Sequence, residues 1–541
     1  MNLKGSIDGP DSIDMVVAGG QLDVAGTVDV YSLENNGYLA IHGIDDDGIA
    51  ANVTENFVNN NGATLETSVY DNGSVAAIKA NRAEVAGTWA LRPEAGFYAN
   101  KKAIKVSSPF IANVSGWFSN VTLVEAASKT LTFQMVNTGR TPSFMATRAA
   151  NAYSQYAKTN GAVELGRSLV GISNKASGDM QKLITALDWS LDGQGIGQAL
   201  TKLGPEAYDA SAKTSLNQQS EFNTLLTNHL LGYVRTAMGN VNRSAAGPNG
   251  DTPSGKWIGW GSFFGSTSHQ GDHNDISGYT SQGVGFLGGA DHNFDSGLTL
   301  GLHVGFSARR TKVNGDHDAK SYTKSAFIGG QAIYAPESWD GLYVTGQARI
   351  GLEDGTMYRR VAIGPYERSN ESRWTAPLWS ALLGVGKDFY FEAGQGVLAA
   401  GPLAWLEYSA LYRPEISESY GKATRLKLDA TTYESLQSAL GGHASYESSF
   451  DNGTTMKVNA LAAWRHELSE GTMRTSASFR SYGNHSFTSE TEAPGRDALL
   501  LQGSLKLTHK SGFFAEVGLG GETLRTASSS FNGSLTMGLE F

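Results

Sequence analysis

The sequence contains no cysteine among its 541 residues. Disulfide bonds, thiolate metal sites and a cysteine nucleophile are therefore excluded. Proline is also scarce, with 13 residues, whereas glycine reaches 66 residues and aromatic side chains make up 10% of the chain. That mixture is typical of a glycine-tolerant β architecture and not of a disordered chain or a helix bundle.

Long apolar runs and an excess of positive charge are lacking as well. No stretch approaches the roughly 20 apolar residues of a transmembrane helix, although alternating barrel strands would escape that test. The formal net charge of −10 argues against nucleic acid as a partner, because nucleic-acid binding depends on basic patches. The first residues, "MNLKGSIDGPDSIDMVV", lack the apolar core of a signal peptide. We therefore expect this chain to lack a signal peptide, and to be truncated if the other features point outside the cell.

The first 256 residues change character along the chain. Residues 1–138 are short β-prone runs, with Asn, Gly and Asp turns about every 8 to 12 residues. A sandwich would fit this pattern, and so would a β-helix with rungs of about 20 residues. Residues 139–215 are helix-prone, and residues 216–243 carry apolar side chains at helical spacing. A linker rich in small and polar residues follows up to residue 256.

From Trp257 onward apolar and polar residues alternate, which is the period of a strand with two different faces. In "LTLGLHVGF" every second residue from Leu298 to Phe306 is apolar, and the residues between are polar or glycine. The alternation predicts about twelve strands. Their predicted starts lie near residues 257, 281, 297, 320, 341, 375, 396, 434, 454, 497, 512 and 529.

The connections between these strands alternate between short and long, apart from modest loops near residues 313–320 and 526–529. Short turns lie near residues 295, 338, 394, 452 and 510, and long connections include 361–373, 413–431 and 468–496. A sandwich has no reason to keep long loops at one end, whereas an outer-membrane barrel has short periplasmic turns and long extracellular loops. The final "SLTMGLEF" is then the closing strand, which must pair with the first because lipid offers no hydrogen bonds. Its apolar face consists of Leu535, Met537, Leu539 and Phe541.

Polar side chains opposite the apolar face are expected to line the barrel interior. They would hydrogen-bond a helix in the pore or, alternatively, face an open water-filled channel as in porins. The pore-lining candidates are His303, Gln347, Arg349, Lys457, Asn459 and Lys506.

Several stretches, in their order along the chain, resemble one known family. "VAGTWALRPEAGFYANKKAIKV" and "VSGWFSNV" are similar to the junction that caps the β-helix of autotransporters. "GQALTKLGPEAYDASA" resembles the helical segment before the barrel, and "WIGWGSFFG" with "GVGFLGGADHNF" resemble its first two strands. The chain thus resembles a type Va autotransporter over nearly its whole length. The residues that carry the junction similarity are Gly87, Leu91, Gly96, Tyr98, Gly116 and Phe118.

The resemblance implies an all-β fold with a helical linker. It consists of a right-handed β-helix stub followed by a 12-stranded antiparallel outer-membrane β-barrel with a pore helix. Residues 1–138 would be the C-terminal part of a passenger with its junction or autochaperone region, and residues 139–215 a helical connector. Residues 216–256 would form the pore helix and linker, and residues 257–541 the barrel, whose last strand would serve as the assembly signal.

The function implied is an outer-membrane translocator that secretes and displays its own N-terminal, adhesin-like passenger. The implied partners are outer-membrane lipid, the barrel assembly machinery, periplasmic chaperones and a surface ligand of the passenger. The barrel would lie in the outer membrane as a monomer, with the passenger at the cell surface or outside the cell. Two alternatives stay open: a vehicle for a protease or esterase passenger outside this chain, and a porin-like channel.

Candidate chemistry is sparse. A group of His and Asp residues in the outer loops would hold a divalent cation if the loops met, but polar loop tips in water explain them equally well. The sequence has no G-x-S-x-G elbow and no convincing catalytic set, so we expect neither an enzyme nor a cofactor. The loop residues concerned are His269, Asp272, His273, Asp275, Asp316, His317 and Asp318.

Overall fold

The computed structural model describes residues 1–233, 257–273, 276–294, 296–469, 472–492 and 495–541. The described chain divides into two compact units. The first contains residues 1–157, 166–197 and 363–366, and the second contains residues 158–165, 198–362 and 367–541. Predicted pore-helix residues 234–243 and the linker up to residue 256 lie outside the described residues.

The first unit begins with a β-helix. Its strands alternate between two parallel sheets, in the orders β1-β3-β5-β7-β9-β12 and β11-β8-β6-β4-β2. Parallel pairing decides for the β-helix over the sandwich, because sandwich sheets are antiparallel. The strands of this unit are β1 (Asn2–Leu3), β2 (Ile7–Val17), β3 (Gln21–Val24), β4 (Val28–Asn35), β5 (Tyr38–Ile41), β6 (Ile49–Asn59), β7 (Thr64–Val69), β8 (Ala77–Val85), β9 (Thr88–Pro93), β10 (Ala103–Lys105), β11 (Phe110–Gly116), β12 (Asn120–Leu123), β13 (Leu131–Asn137) and β14 (Ser143–Arg148).

Stacked side chains hold successive turns of the β-helix together. Val30, Phe57 and Leu65 are fully buried within its apolar core. At one corner the Asn35 amide donates to Asn59 Oδ1 over 2.7 Å, and the Asn59 amide donates to the Ala86 carbonyl over 2.7 Å. Buried amides that satisfy one another and the backbone fix the register between rungs, since each unpaired one would cost free energy.

The antiparallel sheet β10-β14-β13 follows the parallel strands. Its strand β14 pairs with β13 and buries Phe144 and Ala146 against the same core. The predicted boundary at residue 138 therefore falls inside this sheet, because the β13–β14 hairpin packs as one piece.

The helices are α1 (Asn160–Ser173), α2 (Asp179–Trp189), α3 (Gly193–Leu203) and α4 (Glu206–Leu231). Within the described ranges, no helix combines the length and apolar character needed to cross a membrane. Helix α4 runs without a break across the predicted division at residues 215 and 216, because neither glycine nor proline interrupts residues 206–231.

The second unit contains a closed 12-stranded antiparallel β-barrel. Asp388 alone separates β20 from β21, which together serve as one barrel strand, and β31 closes the barrel by pairing with β15. The strands of the second unit, from both the barrel and the smaller sheet described below, are β15 (Trp257–Gln270), β16 (Tyr279–Asn293), β17 (Leu298–Val313), β18 (Ala319–Tyr334), β19 (Leu342–Ile363), β20 (Tyr366–Lys387), β21 (Phe389–Ala393), β22 (Gly396–Arg413), β23 (Ile416–Ser417), β24 (Leu426–Leu428), β25 (Thr431–Ser449), β26 (Thr455–Glu467), β27 (Thr472–Phe479), β28 (Ser486–Glu492), β29 (Asp497–Thr508), β30 (Phe513–Arg525) and β31 (Ser528–Glu540).

The observed barrel strands begin close to the predicted starts, with one exception. Strand β20 begins at Tyr366 and not near residue 375, so most of the predicted long loop at 361–373 is strand. Alternating burial continues through this segment, with Met357 and Val361 buried on β19 and Trp374 on β20, which is why it stays paired. The long connections at 413–431 and 468–496 contain a small sheet of their own, β23-β24-β27-β28.

The two faces of the barrel wall differ in polarity as the alternation predicts. On β17, Leu302 and Phe306 are 69% and 51% exposed, whereas His303 and Ser307 are each 1% exposed. An apolar outer face and a polar inner face are the arrangement expected for a barrel in lipid.

Candidate functional site

The barrel interior is the candidate functional site, and helix α4 occupies it. Pro205 precedes the helix, and Glu206 and Asp209 lie in its first turn, where negative charge favours a helix. Its buried residues are mostly polar and include Ser211, Gln218 and Asn223. A helix that is polar on several sides can be buried only against polar surroundings, and the inner wall of the barrel supplies them.

At its first turns α4 bonds to the wall through two neighbouring residues. The Tyr208 hydroxyl contacts Ser372 Oγ over 2.7 Å and donates to Glu418 Oε1 over 2.9 Å. The next residue, Asp209, accepts from the Tyr433 hydroxyl over 3.0 Å and from Thr475 Oγ1 over 2.5 Å. This end of the helix is thus held from several strands at once.

In the middle of the helix, three consecutive polar residues meet three buried arginines of the wall. The Arg349 guanidinium on β19 donates to Gln219 Oε1 over 2.8 Å. The Arg465 guanidinium on β26 donates to Ser220. Glu221 pairs with Arg309 on β17, with 2.8 Å between Oε2 and Nη2.

Arg465 also joins two carboxylates of the wall. It lies 2.7 Å from Glu407 Oε2 and 2.6 Å from Glu522 Oε1. A buried guanidinium needs such partners, because an unpaired buried charge is costly.

The C-terminal end of α4 is bound in the same manner. Asn223 donates to Ser380 Oγ over 3.0 Å, and Gln347 donates to Thr227 Oγ1 over 3.1 Å. His229 lies 2.7 Å from Asp291 Oδ2. The helix therefore makes polar contacts with the wall along its whole length.

The space left beside the helix is narrow. A cavity lined by Lys213, Glu221 and Gln502, among others, has a volume of about 30 Å³. That is room for very few water molecules. This cavity beside α4 therefore has no room for a larger solute.

The six predicted pore-lining residues take different places along the wall. Gln347 and Arg349 contact α4 as described above, and Lys457 Nζ donates to the Gly232 carbonyl just beyond the helix over 3.2 Å. His303 bonds to Gln331, which in turn donates to Asp291 over 2.7 Å.

The other two candidates bond within the wall. Asn459 donates to Ser504 Oγ over 3.0 Å, and Lys506 Nζ lies 3.9 Å from the centre of the Phe514 ring.

Arg309 and Arg465 are not among the pore-lining residues predicted from the sequence, although the sequence contains a signal for them. Alternate residues of a strand point to opposite faces, and on β17 the outward-facing residues include Val304, Phe306 and Ala308. Arg309 must therefore point to the inner face. The partners of both arginines lie far away in the sequence, and the Arg465–Ser220 contact spans 245 positions. Such partners cannot be read from local spacing.

The loop residues considered for a metal site do not form a cluster in the described part of the chain, where no three His, Cys, Asp or Glu side chains are placed to hold an ion. Asp272 accepts from the Gly278 amide over 2.7 Å, and Asp318 pairs with Arg360. His269 lies 3.3 Å from Thr280 Oγ1, and His317 lies 4.0 Å from Glu206. Asp275 and the Asp316 side chain lie outside the described residues, and the backbone of His273 forms a bridge to Ile276.

The predicted junction residues gather near the end of the β-helix. Leu91 and Tyr98 are fully buried, and Phe118 stacks on Trp89 with 5.5 Å between ring centres. Gly87 and Gly116 have φ values of 73° and 79°, where a side chain would be strained and would clash with the carbonyl of the preceding rung. The sixth residue, Gly96, accepts a hydrogen bond from the Trp189 indole over 3.0 Å.

A buried cluster of polar side chains lies next to these junction residues, near the end of the β-helix. Asp188 pairs with Arg148 and accepts from the Tyr153 hydroxyl over 2.7 Å and from Thr130 over 2.6 Å. Burial, and then the Asp188 charge, raises the pKa of Tyr153 well above its ordinary value. The Tyr153 hydroxyl is therefore neutral and donates a hydrogen bond, and the negative charge of Asp188 balances the positive charge of Arg148.

The last strand forms the barrel seam. Leu535, Met537 and Leu539 are half-exposed on the outer face of β31, and Phe541 is 67% exposed. Strands β31 and β15 pair from Ile258–Glu540 to Gln270–Ser528. Beyond β31, the backbones of Phe541 and Trp257 exchange two hydrogen bonds of 2.9 Å each.

Comparison with known proteins gives one family match. The family model of the autotransporter β-domain matches residues 259–520. A search of curated proteins finds no match. Similar solved structures include the translocator domain of the autotransporter NalP from Neisseria meningitidis, at 12% identity and a TM-score of 0.43, covering 60% of this chain and 98% of that one. The β-domain of the Bordetella autotransporter BrkA has 15% identity and a TM-score of 0.37, with coverage of 52% and 98%. The transport unit of AIDA-I from Escherichia coli has 11% identity and a TM-score of 0.36, with coverage of 58% and 97%.

Proposed function

Because residues 259–520 are an autotransporter β-domain, we propose that this chain secretes its own N-terminal β-helical passenger through the outer membrane and displays it at the cell surface. The translocator barrel would reside in the outer membrane as a monomer. The β-helix of residues 1–138, with its junction residues, would be the end of the passenger, outside the cell. Helix α4 would be the segment by which the passenger stays connected to the barrel after secretion.

One observation supports this proposal above the others. The helix that precedes the barrel in sequence lies inside it and is bonded to the wall from Tyr208 to His229. A polar segment such as this is expensive in lipid, so the barrel interior is the path by which the chain would cross the membrane. A helix of about 26 residues spans roughly 39 Å, which is enough for the height of such a barrel.

A conductance measurement tests the proposal. In planar bilayers the full chain should conduct poorly, and deletion of residues 205–250 should raise its conductance sharply, because α4 fills the lumen. A control lacking residues 1–138 but keeping α4 should stay closed. High conductance of the full chain would favour the porin-like channel instead, and an unchanged deletion variant would contradict the role of α4.

The partners of the proposed function follow from the pathway. Before insertion the strands would need periplasmic chaperones, because their outer faces are apolar. The outer-membrane assembly machinery would then recognise the strand ending at Phe541, whose proposed signal residues are Leu535, Met537, Leu539 and Phe541.

We propose that the passenger is adhesin-like and non-enzymatic, and that it binds an unidentified surface ligand. The β-helix presents the outer faces of its stacked parallel sheets, which suit a contact surface. The competing possibility is a protease or esterase carried by the same barrel. Any coding sequence that precedes Met1 in the genome would distinguish the two, since an enzymatic passenger would bring a recognisable catalytic set.

A further inference from the structure

The outer face of β17 and β18 changes from apolar to basic along its length. On β17 the exposed outward residues Val304 and Phe306 are followed, after Ala308, by exposed Arg310 and Lys312. On β18 the outward residue Lys324 stands two positions before Ala326. The basic side chains therefore begin where the apolar belt ends.

The register of the two strands brings four cations into one group. Lys312 pairs directly with Lys320, Arg310 pairs with Tyr322, and Ala308 pairs with Lys324. The Arg310 guanidinium lies 5.9 Å from the centre of the Tyr322 ring. We call Arg310, Lys312, Lys320 and Lys324 the cationic patch.

Nothing in the described chain neutralises this patch by an ion pair. The residues opposite Arg310 and Lys312 on β16 are the neutral Gln282 and Thr280. The carboxylate across from Lys324 is Asp354 on β19, which accepts a hydrogen bond from Thr375 over 2.6 Å. The like charges of Lys312 and Lys320 face one another across β17 and β18, which is unfavourable, whereas Asp354 offsets part of the charge of Lys324 alone. An external anion would stabilise the cations that remain without a carboxylate opposite them.

An apolar groove adjoins the patch on the lipid-facing side. It is a shallow depression, open to the lipid, that spans β18, β19 and β20 and has a volume of about 600 Å³. Because Lys324 and Ala326 point outward from the same strand, the groove begins beside Lys324, which is the cation of the patch nearest to it. Its outer walls are formed by Ala326, Ile328, Ile350, Leu352, Pro377 and Trp379.

We propose that the cationic patch and the groove together bind a phosphorylated lipid of the outer leaflet. The phosphates would lie on the patch and one acyl chain in the groove. The lipid A part of lipopolysaccharide has this chemistry, with phosphates at the level where its acyl chains begin. The orientation rests on the proposed function, because the patch faces the outer leaflet only if the loop at 314–318 is extracellular.

The test compares two variants that each lose two outward cations. The first, Arg310→Gln with Lys324→Gln, removes half of the patch. The control, Arg360→Gln with Arg373→Gln, removes outward cations of β19 and β20 that already have carboxylate partners, Glu367 at 2.8 Å and Glu371 at 3.0 Å. Full-length proteins refolded in phosphatidylcholine vesicles are titrated with fluorescent lipid A and with a dephosphorylated analogue.

The patch variant should bind lipid A at least about tenfold more weakly, while the control keeps the affinity of the unmodified chain. The dephosphorylated analogue should bind the unmodified chain as weakly as lipid A binds the patch variant. Equal affinities of the two variants, or equal binding of the two lipids, would overturn the proposal.

The groove is tested separately with Ala326→Trp, which fills it and leaves the cations in place. This variant should lose affinity for lipid A, whereas the dissociation constant of inorganic phosphate, which contacts only the cations, should equal that of the unmodified chain. Unchanged lipid A affinity would leave the acyl chain without a site and contradict the proposal.

Folding is checked by mobility on unheated gels, since closed barrels resist detergent. In each titration the lipid is mixed into the vesicles at increasing mole fraction before the protein is refolded, so both leaflets contain it and binding does not depend on topology. A barrel found inverted in cells would thus refute the proposed function without altering this result.

Discussion

At the residue scale, the arginines of the inner wall decide whether α4 stays in place. Arg309, Arg349 and Arg465 come from three different strands and meet consecutive residues of the helix. Each of these arginines is nearly fully buried, so its charge needs a hydrogen-bonding or charged partner, either on the helix or among the carboxylates of the wall.

Arg309→Met should lower the free energy of unfolding by about 3–5 kcal/mol, because it leaves Glu221 buried without its cation. Adding Glu221→Leu should recover most of the loss, because both charges are then gone. The measurement is urea unfolding of the refolded protein in vesicles, analysed as a double-mutant cycle.

A matched control is Arg474→Met, which breaks the exposed pair with Glu490. Its effect should stay below about 1 kcal/mol, as for other exposed pairs. If Arg309→Met were equally mild, the buried pair would not hold the helix.

The sequence predicts which residues face inward but not what they touch. Parity along a strand places Gln347, Arg349 and His303 on one face without knowledge of the fold. Their partners come from the helix and from strands many residues away, as in the bond between Gln347 and the Asn223 carbonyl, 124 positions apart. Contacts of this kind form only when the barrel closes around the helix, so they cannot be predicted from a local sequence pattern.

At the element scale, α4 is one helix of 26 residues whose side chains are mainly polar. A division after residue 215 is predicted from the sequence because apolar residues at helical spacing are clear only in the second half of α4. The first half owes its burial to hydrogen bonds with the wall and not to an apolar face, so periodicity could not show that the two halves belong together.

A cysteine pair tests where the helix lies, and the natural absence of cysteine removes any background. Asn223→Cys with Ser380→Cys should cross-link efficiently with a short bifunctional thiol reagent, because the native side chains are 3.0 Å apart. The cross-linked product should migrate differently on a denaturing gel.

The control pairs Asn223→Cys with Thr375→Cys, which lies on the same strand but is exposed on the outer face. It should give no intramolecular product. Equal cross-linking of both pairs would mean that α4 is not fixed in the lumen.

At the scale of the whole molecule, the alternation of short and long connections gives the barrel a direction. The pattern was legible in the sequence because turn length needs no tertiary information. The β19–β20 hairpin was not, because its paired strands extend through a segment whose polar composition is typical of a loop.

Protease added to intact cells should cut within 413–431 or 468–496 and spare the short turns near 295, 338, 394, 452 and 510. Tyr420, in the first of these connections, is 77% exposed, whereas the flanking strands β23 and β24 are paired. Cleavage is mapped by mass spectrometry of the fragments. Cutting at the short turns alone would invert the proposed topology.

The seam between β31 and β15 also bears on how quickly the barrel can form. Thr536 and Ser262, which bond across it over 2.8 Å, are 274 positions apart in the chain. A contact between such distant segments forms late and slowly, because the entropy of a very long loop is lost before any bond compensates for it. Until then β15 and β31 are open edges that would pair with any extended chain nearby. The rate of closing this single seam therefore sets how long the protein is vulnerable to aggregation.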